Sequence, residues 1–117
     1  MNGNASLVHG NFNTNPHSPT YQMVVNGAGN PGANVWCVPT PVAPNSDYAF
    51  SAWVSTCNVG DGTINGRAKL QFSINGIVLG EPFYSPATVN TWQQFFATWN
   101  SGSNTSATIC VVNLNVT

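Results

Sequence analysis

Few residues of this chain could carry out acid–base or nucleophilic chemistry. Its only carboxylate side chains are Asp47, Asp61 and Glu81, and all three sit in or beside predicted turns, where acidic residues commonly start or decorate the turn. Acid–base catalysis needs two such groups near one cleft. The two histidines, His9 and His17, lie in a poorly patterned N-terminal stretch, and no nucleophile-elbow sequence occurs. We therefore predict that the chain is not an enzyme.

Metal ligands are equally sparse. His9 and His17 have no third ligand nearby, and scattered imidazoles of this kind are usually solvated side chains rather than a zinc site. A structural calcium ion is harder to dismiss, because β-sandwich modules can hold one with backbone carbonyls and a few acidic or amide oxygens. Asp61 or Asn side chains would contribute to such a site. The sequence thus leaves a structural calcium open and predicts no other cofactor.

The chain has three cysteines, Cys37, Cys57 and Cys110, without CxxC spacing. An odd count of this kind disfavours zinc and leaves room for one disulfide and one free thiol. We favour the pair Cys37 and Cys110. Three buried thiols are the alternative interpretation.

The aromatic side chains are the most informative group. Four Trp, three Tyr and six Phe in 117 residues cannot all pack into one small core. Trp53 stands out because strict alternation along its predicted strand places it on the other side of the strand from Phe50, together with Ser51 and Ser55. An indole on a polar face can stack on the apolar face of a sugar ring, and amide groups can bind its hydroxyls.

These residues predict a sugar-binding site with Trp53 as the platform. Orientation would be set by amides and further aromatics, for which the candidates are Gln71, Gln94, Trp36 and Tyr84. The alternative is that a loop covers Trp53 as ordinary core, since tryptophan is well buried on average.

The elements that position these residues are predicted to be strands. No stretch repeats apolar residues at helical spacing, whereas period-two alternation is frequent. The clearest strands cover residues 48–55 and 68–74, and the second turns through Asn75-Gly76 into 77–79. Two more, at 92–99 and 107–114, are expected to be adjacent and antiparallel. Weaker strands are predicted at 21–25 and 34–38, the latter ended by a crossover that contains Pro39, Pro41 and Pro44.

Seven or so short strands joined by Asn- and Gly-rich turns indicate an all-β fold, an antiparallel β-sandwich of the jelly-roll type. The chain is long enough for one domain. We assign residues 1–20 to a poorly patterned N-terminal segment and residues 21–117 to a single sandwich domain.

Charge excludes two classes of partner. Only 4% of residues are charged and the net charge is -1, against about 25% charged residues in ordinary soluble domains. Arg67 and Lys69 are the only cationic side chains besides histidine, and two cations are too few for nucleic acid or for an anionic membrane surface. No apolar run of about 18 residues is present, so no membrane insertion is expected, and residues 1–30 lack the pattern of a signal peptide.

From about Met23 to Leu114 the chain resembles the galactose-binding-like jelly-roll modules of bacterial (Bacteroidetes-type) surface and gliding-motility-associated proteins. The strings that carry this resemblance are Met23-Val-Val-Asn-Gly27, Val35-Trp-Cys37, Tyr48-Ala-Phe-Ser-Ala-Trp-Val54, Leu70-Gln-Phe-Ser-Ile-Asn-Gly76, Trp92-Gln-Gln-Phe95 and Thr98-Trp-Asn-Ser-Gly102. The resemblance implies a two-sheet jelly roll similar to carbohydrate-binding modules. The chain departs from the pattern at both ends, where such modules carry acidic residues that often help to hold calcium.

The function predicted from the sequence is a noncatalytic glycan-binding module of an extracellular or cell-surface protein. The alternative is a structural or adhesive surface module that self-associates through an unpaired, uncharged sheet edge and has no sugar site. Exposure of Trp53 to solvent discriminates between the two.

Overall fold

The computed structural model describes residues 17–18, 30–56 and 67–115 of the chain. These residues contain six β-strands and no helix, so none of them belongs to a helix that could span a membrane. The strands are β1 (Ala33–Pro41), β2 (Asp47–Ser55), β3 (Lys69–Ile74), β4 (Ile77–Tyr84), β5 (Trp92–Asn100) and β6 (Ser106–Asn113).

The strands form two antiparallel sheets that pack face to face. One sheet has four strands in the order β1-β6-β3-β4, and the other pairs β2 with β5. Ile74 and Ile109 of the four-stranded sheet are buried in a cluster that also contains Phe50 and Trp99 of the two-stranded sheet. The all-β sandwich predicted from the sequence is therefore confirmed.

Period-two alternation decides which side chains reach this core. In β3, Leu70, Phe72 and Ile74 are buried while the residues between them are not. In β2 the alternation is confirmed as well, with Phe50 in the core and Trp53 on the outer face. Burying a large apolar side chain of this kind contributes roughly 1.5–3 kcal/mol, so the register of each strand is strongly fixed.

The Asn75-Gly76 turn is confirmed as the hairpin between β3 and β4. Both residues have positive φ, 50° and 81°, as a two-residue turn with the correct twist requires. The Asn75 side chain also ties the hairpin to β6, because its Oδ1 accepts a bond from the Thr108 amide at 2.8 Å.

The prediction that 92–99 and 107–114 form neighbouring strands is wrong. β5 pairs with β2, whereas β6 lies between β1 and β3 in the other sheet. The segment between them passes from one sheet to the other, and it is anchored at Ser101, which is fully buried. The Ser101 hydroxyl donates to the Ala43 carbonyl at 2.5 Å and accepts from the Ser46 amide at 2.9 Å.

The predicted crossover begins later than expected. Pro39 and Pro41 belong to β1, opposite Thr108 and Ser106 of β6, and of the three prolines only Pro44 lies in the connection to β2. Proline is tolerated in a sheet at an edge strand, where its missing N–H faces away from the partner. In the described part of the chain β1 is such an edge strand.

β4 is longer than the predicted strand at 77–79. It continues to Tyr84, and its pairing with β3 shifts register between Leu70 and Phe72. Glu81 therefore lies in a strand and not in a turn. Gly80 has a positive φ of 75°, and a Cβ there would lie 3.4 Å from Ala97 of β5. This close approach brings β4 against the two-stranded sheet.

The predicted disulfide between Cys37 and Cys110 is confirmed, and it links directly opposed residues of β1 and β6. The predicted strand at 21–25, the third cysteine Cys57 and the candidate calcium ligand Asp61 lie outside the described residues, as does almost all of the segment 1–20.

Candidate functional site

The two sheets have outer faces with different chemistry. We call the outward-pointing residues of β2 and β5 the Trp53 face, and those of β3 and β4 the Tyr84 face. Because inward residues of both sheets meet in one core, these two faces lie on opposite sides of the sandwich. The five residues predicted to form one sugar site are divided between them and the rim of the core.

The Trp53 face brings Trp53 and Gln94 together as directly opposed residues of β2 and β5. Trp53 keeps 45% of its surface exposed, although it sits in the middle of a strand pair. Side chains directly opposite in an antiparallel pair have Cβ atoms about 4.5–5.5 Å apart. The amide of Gln94 is therefore within reach of a group stacked on the indole.

Two further aromatic side chains extend this face along the strands. Phe96 is opposite Ser51, and Trp92 is opposite Ser55, so both are diagonal neighbours of Trp53, about 7–8 Å away in this geometry. Phe96 is 73% exposed. The result is a staggered row of three aromatic rings with serine and glutamine between them.

His17 stacks on the Trp53 indole. The ring centroids are 3.9 Å apart with an angle of 21° between the planes, and His17 also meets the edge of Trp92 at 5.9 Å. His17 is itself exposed. A flat ring thus occupies one face of the indole in the arrangement expected for a stacked ligand.

The far end of the Trp53 face is polar. Asp47 and Asn100 are opposed at the start of β2, and the Asn100 amide donates to an Asp47 oxygen at 2.8 Å. They line an open depression together with Tyr48, Ala49, Thr98 and Trp99. Trp53 lies six positions after Asp47 along β2, which is about 20 Å at roughly 3.3 Å per residue.

Gln71 and Tyr84, predicted to contact the same ligand as Trp53, lie together on the opposite Tyr84 face. Tyr84 is opposite Lys69, and Gln71 follows two residues later on the same side of β3. The Gln71 amide donates to the Gly80 carbonyl at 2.8 Å. The structure therefore does not bring these two residues to Trp53.

Trp36 belongs to neither outer face. It is opposite Val111, which is in turn opposite the buried Phe72, so its side of β1 faces the inside of the sandwich. Its exposed fraction is nevertheless 43%, almost equal to that of Trp53. Trp36 therefore lies at the rim of the core.

The described residues contain no cluster of charged or histidine metal ligands. No group of three His, Cys, Asp or Glu side chains occurs among them. The two described carboxylates, Asp47 and Glu81, are in different sheets, and Asp47 already accepts a bond from Asn100. Calcium prefers six to eight oxygen ligands, usually including carboxylates.

Phe96 and His17 contribute to the Trp53 face and were not predicted from the sequence. The alternation in residues 92–99 was enough to place Phe96 beside Gln94 on one side of the strand, so that signal was available. His17 carried no such signal, because nothing in the local sequence indicates that it packs against a strand 36 positions later.

Comparison with known proteins gives one structural similarity. A solved structure described as "EclA C-terminal domain; sugar-binding protein" matches with a TM-score of 0.60, covering 91% of this chain and 80% of that chain, at 13% sequence identity. At this identity the similarity concerns the fold. No family model and no curated protein matches the chain.

Proposed function

We propose that this chain is a noncatalytic carbohydrate-binding module and that the Trp53 face is its glycan-binding surface. The observation that carries the proposal is the half-exposed Trp53 directly opposite Gln94. A sugar ring has an apolar face and a rim of hydroxyls, so an aromatic platform next to an amide satisfies both parts of it.

The form of the surface favours a glycan chain over a single terminal sugar. Trp92, Trp53 and Phe96 are spread along the strands, and the depression at the Asp47 end of the same face is open. Such a surface stacks on successive rings but encloses none of them. Affinity is expected to be modest, since a shallow site buries little area to offset the cost of association.

The similarity to a domain described as sugar-binding supports the same class of ligand. The Cys37–Cys110 disulfide supports an extracellular or cell-surface location, because disulfides persist in oxidising compartments. The resemblance to modules of Bacteroidetes-type surface proteins points to the same location. Self-association through the β1 edge is less well supported, since Pro39 and Pro41 leave that edge without two of its N–H donors.

The test is a screen of neutral polysaccharides followed by fluorescence titration of any ligand found. Trp53→Ala should weaken binding at least tenfold, about 1.4 kcal/mol, because it removes the central ring of the row. Trp36→Ala is the matched control, since Trp36 has nearly the same exposure but lies on the other sheet, and it should leave affinity unchanged. Absence of binding to any neutral glycan, or equal losses in the two variants, would contradict the proposal.

A further inference from the structure

The two cationic side chains of this chain, apart from histidine, converge on one aromatic ring. The Arg67 guanidinium carbon lies 5.3 Å from the centroid of the Tyr84 ring, and the Lys69 ammonium lies 5.7 Å from it. Both distances are within the range of cation–π attraction. Tyr84 is 45% exposed, so the cluster is open to solvent on the Tyr84 face.

This arrangement places two like charges close together in a chain that has few charged side chains. Only five side chains of the whole protein are fully charged at neutral pH, and the like charges of Arg67, just before β3, and Lys69, its first residue, repel each other. Neither cation forms an ion pair with a carboxylate in the described part of the chain. Among the described residues, no carboxylate neutralises this positive charge.

The backbone that carries both cations is held in place by hydrogen bonds. The Asn115 side chain accepts from the Lys69 amide and donates to the Arg67 carbonyl at 3.0 Å. The Arg67 Nε donates to the Ser85 carbonyl at 2.7 Å, and Ser85 is itself buried. The Arg67 side chain and the backbone that carries Lys69 are thus held in place, which lowers the entropic cost of binding.

We propose that Arg67, Lys69 and Tyr84 form a second binding site, which takes an anionic saccharide through its carboxylate or sulfate groups. The terminal guanidinium nitrogens of Arg67 can bind such a group in bidentate fashion, and Lys69 adds a point charge. Gln71, on the same face, supplies an amide next to the charges. This site lies across the sandwich from the Trp53 face, and the assignment of a saccharide as its ligand rests on the proposed function.

The test compares binding of polygalacturonate and dextran sulfate with that of neutral dextran, by affinity electrophoresis and calorimetry. The wild type should bind at least one of the two anionic polymers, and the polymer that binds identifies the carboxylate or the sulfate as the recognised group. The double variant Arg67→Gln/Lys69→Gln should lose this binding at least tenfold, whereas Trp53→Ala should retain it. Raising the salt concentration from about 20 mM to about 0.5 M should weaken it as well.

Tyr84→Leu separates a preorganised site from simple charge attraction, because it keeps both cations and removes the ring that holds them. We expect severalfold weaker binding, with thermal unfolding used to confirm that each variant is folded. Absence of binding to both polymers, or unchanged affinity in Tyr84→Leu or in the double variant, would overturn the proposal. Equal affinity for polyglutamate would overturn the assignment of a saccharide as the ligand.

Discussion

At the scale of single residues, the site depends on which side of a strand each polar or aromatic group occupies. Alternation in β2 was sufficient to predict that Trp53 faces away from Phe50, and this is what the structure shows. The same reasoning could not separate Gln94 from Gln71, because local alternation assigns a face within one strand and does not say which sheet the strand joins.

Gln94 and Gln71 therefore make a matched pair for mutation. Gln94→Ala should weaken neutral-glycan binding severalfold, since one or two hydrogen bonds worth about 0.5–1.5 kcal/mol each are lost. Gln71→Ala removes the same amide from the opposite face of the sandwich and should leave that affinity unchanged. Titration calorimetry with the best neutral ligand checks both predictions. A larger loss of affinity in Gln71→Ala than in Gln94→Ala would show that the glycan binds on the Tyr84 face instead.

His17 is the residue that competes most directly for the indole of Trp53, since its ring stacks on it at 3.9 Å. His17→Ala should uncover that side of the indole and strengthen neutral-glycan binding severalfold. Fluorescence titration of this variant beside the wild type measures the difference. Weaker binding would instead make His17 a part of the site that contacts the sugar.

At the scale of strands, hairpins were predictable and sheet membership was not. The Asn75-Gly76 turn has its own chemical signature, positive φ at both residues, so β3 and β4 were paired correctly. The segment between β5 and β6 has turn-forming residues too, but its path depends on Ser101 contacting the distant residues Ala43 and Ser46. No local pattern contains that information.

Ser101 should consequently matter for stability more than its small side chain suggests. Ser101→Ala removes the hydroxyl that bonds the Ser46 amide and the Ala43 carbonyl in two partly buried hydrogen bonds, at a cost of about 1–3 kcal/mol in the free energy of unfolding. Ser103→Ala, at an exposed position of the same connection, is the control and should cost less than about 0.5 kcal/mol. Urea denaturation of both variants tests this, and equal values would mean that Ser101 does not anchor the crossover.

At the scale of the whole molecule, β1 joins the rest of the sheet through β6 alone in the described residues. The disulfide joins cysteines that are 73 positions apart in the sequence, and its pairing was predictable only as a choice among three cysteines. The likeness to the solved domain covers most of the chain and concerns the fold.

Because Cys37 and Cys110 are bonded, we expect one free thiol, that of Cys57, in the denatured chain before reduction. After reduction we expect three. Reduction should also lower the free energy of unfolding by about 2–5 kcal/mol, because the unfolded chain regains the freedom that the closed loop removed. Thiol titration in denaturant and urea unfolding with and without reductant measure both quantities. Three reactive thiols before reduction would show that the bond is not formed.

The central claim, that glycan binds on the Trp53 face, is tested most directly by NMR of protein labelled with ¹⁵N at tryptophan. The four tryptophans give four indole N–H signals, which single Trp→Phe variants assign. Addition of a neutral glycan ligand should shift the signals of Trp53 and its neighbour Trp92 and leave that of Trp36 in place. Shifts confined to Trp36 or Trp99, or no shift at saturating ligand, would contradict the claim.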